Sequence, residues 1–128
     1  MINTNILIRL LEKEPLNRLE ELALKFDFYI SAIGAFEFLV GVFRTGKMQL
    51  KRFLQENFIV VPITYEITEK AAEIEADLMR TGRIIEPRDV IIGATAIALR
   101  IPLWTENLKD FKPLEKYGLK IVKTLSGQ

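Results

Sequence analysis

The chain has 128 residues, 49% of them hydrophobic and 27% charged, the balance of one globular domain with a packed core rather than a disordered or fibrous chain. Eighteen Lys and Arg nearly cancel seventeen Asp and Glu, which excludes a histone-like or polybasic mode of nucleic-acid binding but leaves room for a local basic patch. The absence of His and Cys removes zinc fingers, thiol and imidazole catalysis and disulfides, so any chemistry falls to carboxylates, amides, hydroxyls, Lys or Arg, with or without a hard metal ion.

The elements alternate between helical and short extended segments. Met1 and Ile2 are the only residues available for a first strand, which is therefore stubby or begins upstream of the given start. Thr4 to Glu14 reads as a short helix capped by Asn3 or Thr4. Pro15 suits the first turn of a second helix, with Leu16, Leu19, Ala23 and Phe26 on one face. Phe28 to Ser31 is a short apolar strand, and Ala32 to about Glu56 is helix interrupted near Thr45-Gly46. Phe58 to Val61 forms the next strand, ended by Pro62. A helix from Glu66 to Thr81 follows, placing Ile67, Ala71, Ile74 and Leu78 on one face and stopping at Gly82. Pro87 opens a helix that carries the apolar run Val90 to Leu99, and Pro102–Thr105 and Leu119–Val122 complete the strands.

Strands separated by helices require crossover connections, hence a mostly parallel sheet covered on both faces, with ligands beyond the carboxyl ends of its strands. The longest apolar stretch, Phe28–Phe43, contains Glu37 and falls short of the about 20 residues of a membrane helix. With no secretory leader in view, the chain reads as a cytoplasmic protein making no membrane contact.

Four aspartates occur: Asp27, Asp77, Asp89 and Asp110. Asp27 suits a turn, and Asp77 the polar face of its helix. Glu37 is the only charge in its apolar run, and a buried lone carboxylate is costly, so it must be paired, exposed or bound to a cation. Asp89 in a first helical turn is favoured by the helix dipole. Asp110 and the asparagines Asn3 and Asn5 each have an ordinary capping role available. Together, however, Asn3, Glu37, Asp89 and the Thr105–Asp110 segment fall near strand ends that a parallel sheet gathers on one edge. Proteins retain clustered carboxylates mainly to hold Mg²⁺ or Mn²⁺, and an oxygen-only donor set suits a hard ion.

These residues also carry a family pattern. Asn3-Thr4-Asn5-Ile6-Leu7 resembles the D-T-N-I-L opening of PIN-domain proteins, with Asn in place of Asp. Ser31-x5-Glu37-x3-Gly41, Asp89-Val-Ile-Ile-Gly-Ala-Thr-Ala96 and Leu103-Trp-Thr105-Glu-Asn107-Leu-Lys-Asp110-Phe111 are similar to the motifs that follow in that family. The match covers nearly the whole chain, and the nearest subgroup is the VapC-type toxin of toxin–antitoxin pairs. The resemblance implies a three-layer α/β/α sandwich with a mostly parallel central sheet, residues 1–128 forming a single PIN-like domain. It further implies an Mg²⁺- or Mn²⁺-dependent endoribonuclease, usually a homodimer, inhibited by a small antitoxin. By this analogy Asn3, Glu37, Asp89 and Asp110 form the catalytic metal site, with Asn107 as the competitor of Asp110 for the last place. Thr4, Asn5 and Thr105 orient ligands or water. A metal-activated water attacking in line would leave a 3′-hydroxyl and a 5′-phosphate. Arg9, Arg44, Lys47 and Arg88 are candidates, by chain position alone, for neutralising the RNA backbone.

Asn3 departs from the pattern. Its amide oxygen can coordinate a hard cation but brings no charge, so metal binding should weaken. Three readings stand beside one another. The chain is a nuclease of reduced activity or altered metal requirement, or a catalytically inactive PIN-fold module binding RNA or an antitoxin, or the Asn is an introduced change. A flavodoxin- or receiver-like domain is disfavoured because no Gly-rich phosphate loop follows the first strand.

Overall fold

The computed structural model describes residues 1–123, apart from the side chain of Asn5. Helices α1 (Thr4–Lys13) and α2 (Leu16–Lys25) lead to strand β1 (Phe28–Ser31). Helices α3 (Ala32–Thr45) and α4 (Met48–Asn57) separate β1 from β2 (Phe58–Val61). Then come α5 (Tyr65–Arg80), α6 (Pro87–Leu99), β3 (Leu103–Trp104), α7 (Leu108–Phe111), a 3-10 turn (Lys112–Tyr117) and β4 (Ile121–Val122).

Among the described residues all strand pairs are parallel. β1 pairs with β2, Phe28 opposite Phe58 and Ser31 opposite Val61, and β3 pairs with β4. The first residues join these two halves. Ile2 N–H donates to the Tyr29 carbonyl at 2.8 Å, Trp104 N–H to that of Met1 at 2.7 Å, and Asn3 N–H to that of Trp104 at 3.0 Å. The expected stubby strand is thus a bridge, Ile2 to Trp104, at the middle of the sheet.

Side chains alternate across a strand, and here the alternation sorts them into two cores. Met1, Val61 and Leu103 enter a core with Ile74 and Leu78 of α5, Val90, Ile92 and Ala94 of α6, and Phe111 and Leu114. Their neighbours Ile2, Ile30, Phe58 and Trp104 enter the other, with Leu7 of α1, Leu19 and Leu22 of α2, Phe38 and Val42 of α3, and Phe53 of α4. Two helical layers therefore enclose a parallel sheet, which is the α/β/α sandwich the sequence implies.

Most boundaries move little, and each shift has a local cause. Thr64 caps α5, its hydroxyl accepting from Ile67 N–H at 3.2 Å, so this helix starts and ends one residue earlier than its apolar pattern predicts. Gly46 and Gly82 follow α3 and α5 at φ values of +74° and +77°, conformations that a Cβ disfavours. In α2, Leu22 rather than Ala23 is the buried member of the face, since Leu19, Leu22 and Phe26 keep the three-and-four spacing with the larger side chain. The last two strands shorten to two residues each. The polar segment after β3 is helical, α7 running directly into the 3-10 turn.

The second layer closes most tightly where α6 meets the 3-10 turn. A Cβ on Gly93 would lie 2.4 Å from Leu114 Cδ1, and Leu114 is fully buried. The gain in helix propensity from Gly93→Ala, up to about 1 kcal/mol, is smaller than the about 1–3 kcal/mol of overpacking. The variant should melt about 4–8 °C below the parent in a calorimetric scan, and an unchanged or raised Tm would show that this contact has slack.

Candidate active site

The site begins at the carboxyl ends of the central strands. Asn3 leaves the bridge as the N-cap residue of α1, with φ −78° and ψ 139°. Its side chain makes no capping bond, contrary to the ordinary role its position suggests. Instead Asn3 Nδ2 donates to Thr105 Oγ1 at 2.9 Å, across the sheet and just past β3. The same hydroxyl oxygen accepts from Asn107 N–H at 3.0 Å. Thr105 is fully buried and ties the start of α1 to the start of α7.

Thr4 is held by α3. Its hydroxyl donates to the Gly34 carbonyl at 3.2 Å, and a Cβ on Gly34 would come within 2.9 Å of that hydroxyl oxygen. This close approach brings the first turns of α1 and α3 together, one turn before Glu37. Asn5 lies in α1, and its expected supporting role concerns a side chain outside the described residues.

Asn3, Thr4, Ile8, Glu37, Arg88, Asp89 and Asn107 line one cleft of about 130 Å³. Four separated helices thus deliver the candidate residues to one hollow, and Glu37 and Asp89 share it. Asp110 is set back from this lining. It accepts from Asn107 Nδ2 at 3.1 Å and stands beside Asp89.

Charge in the cleft is finely opposed. Arg88 Nη1 donates to Glu37 Oε2 at 2.8 Å, while its Nε lies 3.6 Å from Asp89 Oδ1. Glu37 is therefore half-buried and paired rather than simply turned to solvent. Asp89 is only 4% exposed, and its Oδ2 has no hydrogen-bond partner among the described residues. Burial raises its pKa to about 6, and the neighbouring Asp110 adds to the rise while Arg88 opposes it. The cost of a buried carboxylate oxygen without a donor is what a hard cation would relieve. The donors at hand, carboxylate, amide and hydroxyl oxygens, suit Mg²⁺ or Mn²⁺. With Glu37 drawn to Arg88, no three acidic side chains among the described residues close around a single point. A cation held by all three acids requires Arg88 to release Glu37.

The four basic candidates divide. Arg88 lies inside the cleft, as the counter-ion of Glu37 and Asp89. Arg9 pairs with Glu106, and Arg44 and Lys47 are exposed around the turn after α3. The apolar wall from Ile8 has no mark in the sequence beyond an exposed hydrophobic one turn after Thr4. The pairing role of Arg88 was legible only as its adjacency to Asp89.

The raised pKa of Asp89 has a consequence for stability. Between about pH 4 and 6 the folded chain keeps a proton on Asp89 that the unfolded chain has lost, and above about pH 6 native ionisation costs stability. In Asp89→Asn the charge is gone, and an amide N–H can donate to Asp110. Without divalent ions, this variant should exceed the parent by about 1–3 kcal/mol at pH 8, the gain fading as pH falls towards 4, in urea unfolding at several pH values. A gain that is absent at pH 8, or equal at every pH, would contradict the assignment.

A family model described as a PIN domain matches residues 1–116. The chain is 36% identical over 121 residues to Ribonuclease VapC1 of Methanocaldococcus jannaschii, covering 94% of this chain and 85% of that protein. It is 33% identical over 112 residues to a VapC ribonuclease of Pyrococcus furiosus, covering 85% and 75%. Among solved structures, VapBC2 from Rickettsia felis bound to a DNA fragment from its promoter superposes with a TM-score of 0.78 at 29% identity, over 95% and 96% of the two chains. DNA-bound VapBC from Salmonella typhimurium gives 0.81 at 22% identity over 95% of each, a likeness of fold.

Proposed function

The chain belongs to the PIN-domain family, and on that premise we propose that it is a divalent-metal-dependent endoribonuclease of the VapC type, held in check by a small antitoxin protein. The observation that carries the reading is Asp89, buried in the cleft it shares with Glu37 and Asn3, with one oxygen that finds no partner among the described residues. Relatives named as VapC ribonucleases at 33% and 36% identity supply the reaction class, and solved VapBC assemblies supply the kind of partner.

Glu37, Asp89 and Asp110, with the amide oxygen of Asn3, would hold Mg²⁺ or Mn²⁺, and Asn107, which donates to Asp110, would substitute for it or steady it. Such an ion, when bound, supplies a water of lowered pKa and neutralises charge on a phosphodiester. The protein's part is positioning. Thr105 fixes Asn3 and Asn107 against each other, and Thr4 anchors α1 to α3. Arg88, half-exposed at the mouth, is free to turn from Glu37 towards a phosphate once another cation satisfies the acids.

Asn3 bears on activity in a definable way. The Thr105 hydroxyl now accepts from the Asn3 amide, but it can rotate to donate to a carboxylate while still accepting from Asn107 N–H. Asn3→Asp is therefore compatible with the local bonding and adds a negative ligand. With single-stranded RNA and Mn²⁺, Asn3→Asp should cleave at least about tenfold faster than the parent, and EDTA should stop the reaction. No chelator-sensitive cleavage by Asn3→Asp would sink the nuclease reading. Calorimetry showing negligible Mn²⁺ uptake in both forms, with RNA binding intact, would favour the inactive binding module.

A homodimer is part of the proposal. Phe36, Val40 and Phe43 form an exposed apolar stripe on α3, spaced by four and three residues. A second copy covering this stripe accounts for large hydrophobics facing outward beside a well-filled core. Sedimentation velocity at micromolar concentration should give a dimer, and Phe36→Asp with Phe43→Asp a monomer. A parent that is monomeric throughout that range removes the dimer.

A further inference from the structure

Beyond the cleft lies a groove of about 520 Å³ lined by Arg83, Lys109, Lys112 and Lys116, with Glu115 the one acidic residue in its lining among the described residues. Lys116 lies 3.8 Å from Asp77 and over the ring of Tyr117. No ion pair occupies Arg83, Lys109 or Lys112 among the described residues. All three are exposed. They come from distant parts of the chain, Arg83 from the segment after α5 and the lysines from α7 and the 3-10 turn.

Chain neighbours of both segments line the cleft, Arg88 and Asp89 after Arg83 and Asn107 before Lys109. The stretch that carries Arg83 continues into Arg88 and Asp89, and α7 sets Asp110 beside Asp89 while offering Lys109 to the groove. Cleft and groove thus adjoin across α7. Without a bound ion the cleft repels a polyanion, since Arg88, the cation of its lining, is engaged by Glu37 and Asp89. A net charge of +1 offers little long-range attraction. A strand whose scissile phosphate enters such a cleft needs cations under the phosphates next to it. We infer that the groove formed by Arg83, Lys109 and Lys112 holds the phosphates of single-stranded RNA flanking the cleavage point, and so guides the strand into the cleft. This rests on the ribonuclease reading above and adds to it the residues that carry the substrate.

The test separates binding from cleavage. In an Asp89→Asn background, a fluorescently labelled single-stranded RNA twelve-mer is titrated at several NaCl concentrations and followed by anisotropy. Arg83→Ala, Lys109→Ala and Lys112→Ala together should weaken binding at least about tenfold at 0.1 M salt. The slope of log K against log salt should shrink by about 2, three contacts at about 0.7 each. The charge-conserving set Arg83→Lys, Lys109→Arg and Lys112→Arg should restore binding. The control set Lys13→Ala, Lys25→Ala and Arg52→Ala, with the same change in net charge at exposed positions of α1, α2 and α4, should leave it within about twofold. Inorganic phosphate at 10 mM should not displace the RNA. Circular dichroism melts establish that each set is folded.

Equal weakening by the two alanine sets, or full displacement by phosphate, would reduce the groove to general charge or a small-anion site and overturn the inference. RNA binding by the parent that is unmoved by the groove set also overturns it, while Mn²⁺-dependent cleavage by Asn3→Asp keeps the nuclease reading standing. If no form binds RNA and Asn3→Asp is inert, both fall together.

Discussion

Three backbone hydrogen bonds from the first three residues hold the two halves of the sheet together, and the position of every candidate site residue follows from them. Without the bonds to Tyr29 and Trp104, β1–β2 and β3–β4 would be separate pairs with no common edge. With them, the carboxyl ends of β1 and β3 and the residue that follows the bridge fall on one side of one layer. Asn3 reaches Thr105 only because the main chain has already brought them adjacent, Asn3 N–H being bound to the carbonyl of Trp104. A segment too short to register as a regular strand thereby sets the geometry of the site.

On that frame the cleft holds an unresolved electrostatic balance. Asp89 is buried among the first turns of helices, crowded by Asp110 and only partly compensated by Arg88. An interior optimised for stability alone would not keep a carboxylate oxygen without a donor. Arg88 spans Glu37 and Asp89 with one guanidinium, which tempers the repulsion but occupies the acids that a cation would use. The folded chain is thus satisfied enough to persist while Asp89 keeps the electrostatic cost that a bound cation would relieve. The amide of Asn3 lowers the negative charge at this point and shifts the balance towards stability.

Much of this architecture was legible residue by residue. The apolar faces of α5 and α6, the break at Thr45-Gly46, the stop at Gly82 and the β-prone runs at Phe28 and Phe58 all report local backbone preferences and burial. The motifs also marked Asn3, Glu37, Asp89 and the segment to Asp110 as a set. Other features left weaker traces. α7 lacks the length to show a helical period, and Leu22 in place of Ala23 depends on which side chain packs into the core shared with α1, α3 and α4. The turn of Asn3 away from its capping role depends on Thr105, 102 residues away, and the position of Asp110 is tied to Asn107 and Asp89.

Taken alone, the amino-acid order determined the elements, their alternation, the two-sided burial of a parallel sheet and the oxygen-only character of any chemistry. Those follow from periodicity and composition, which are properties of short stretches of chain. The tertiary structure decided that Arg88 would sit between two acids, that Asp89 would lose its water and hold its proton to about pH 6, and that a basic groove would open across α7. Desolvation and Coulomb energy depend on distances through space, and spacing along the chain does not contain those distances until the sheet has closed.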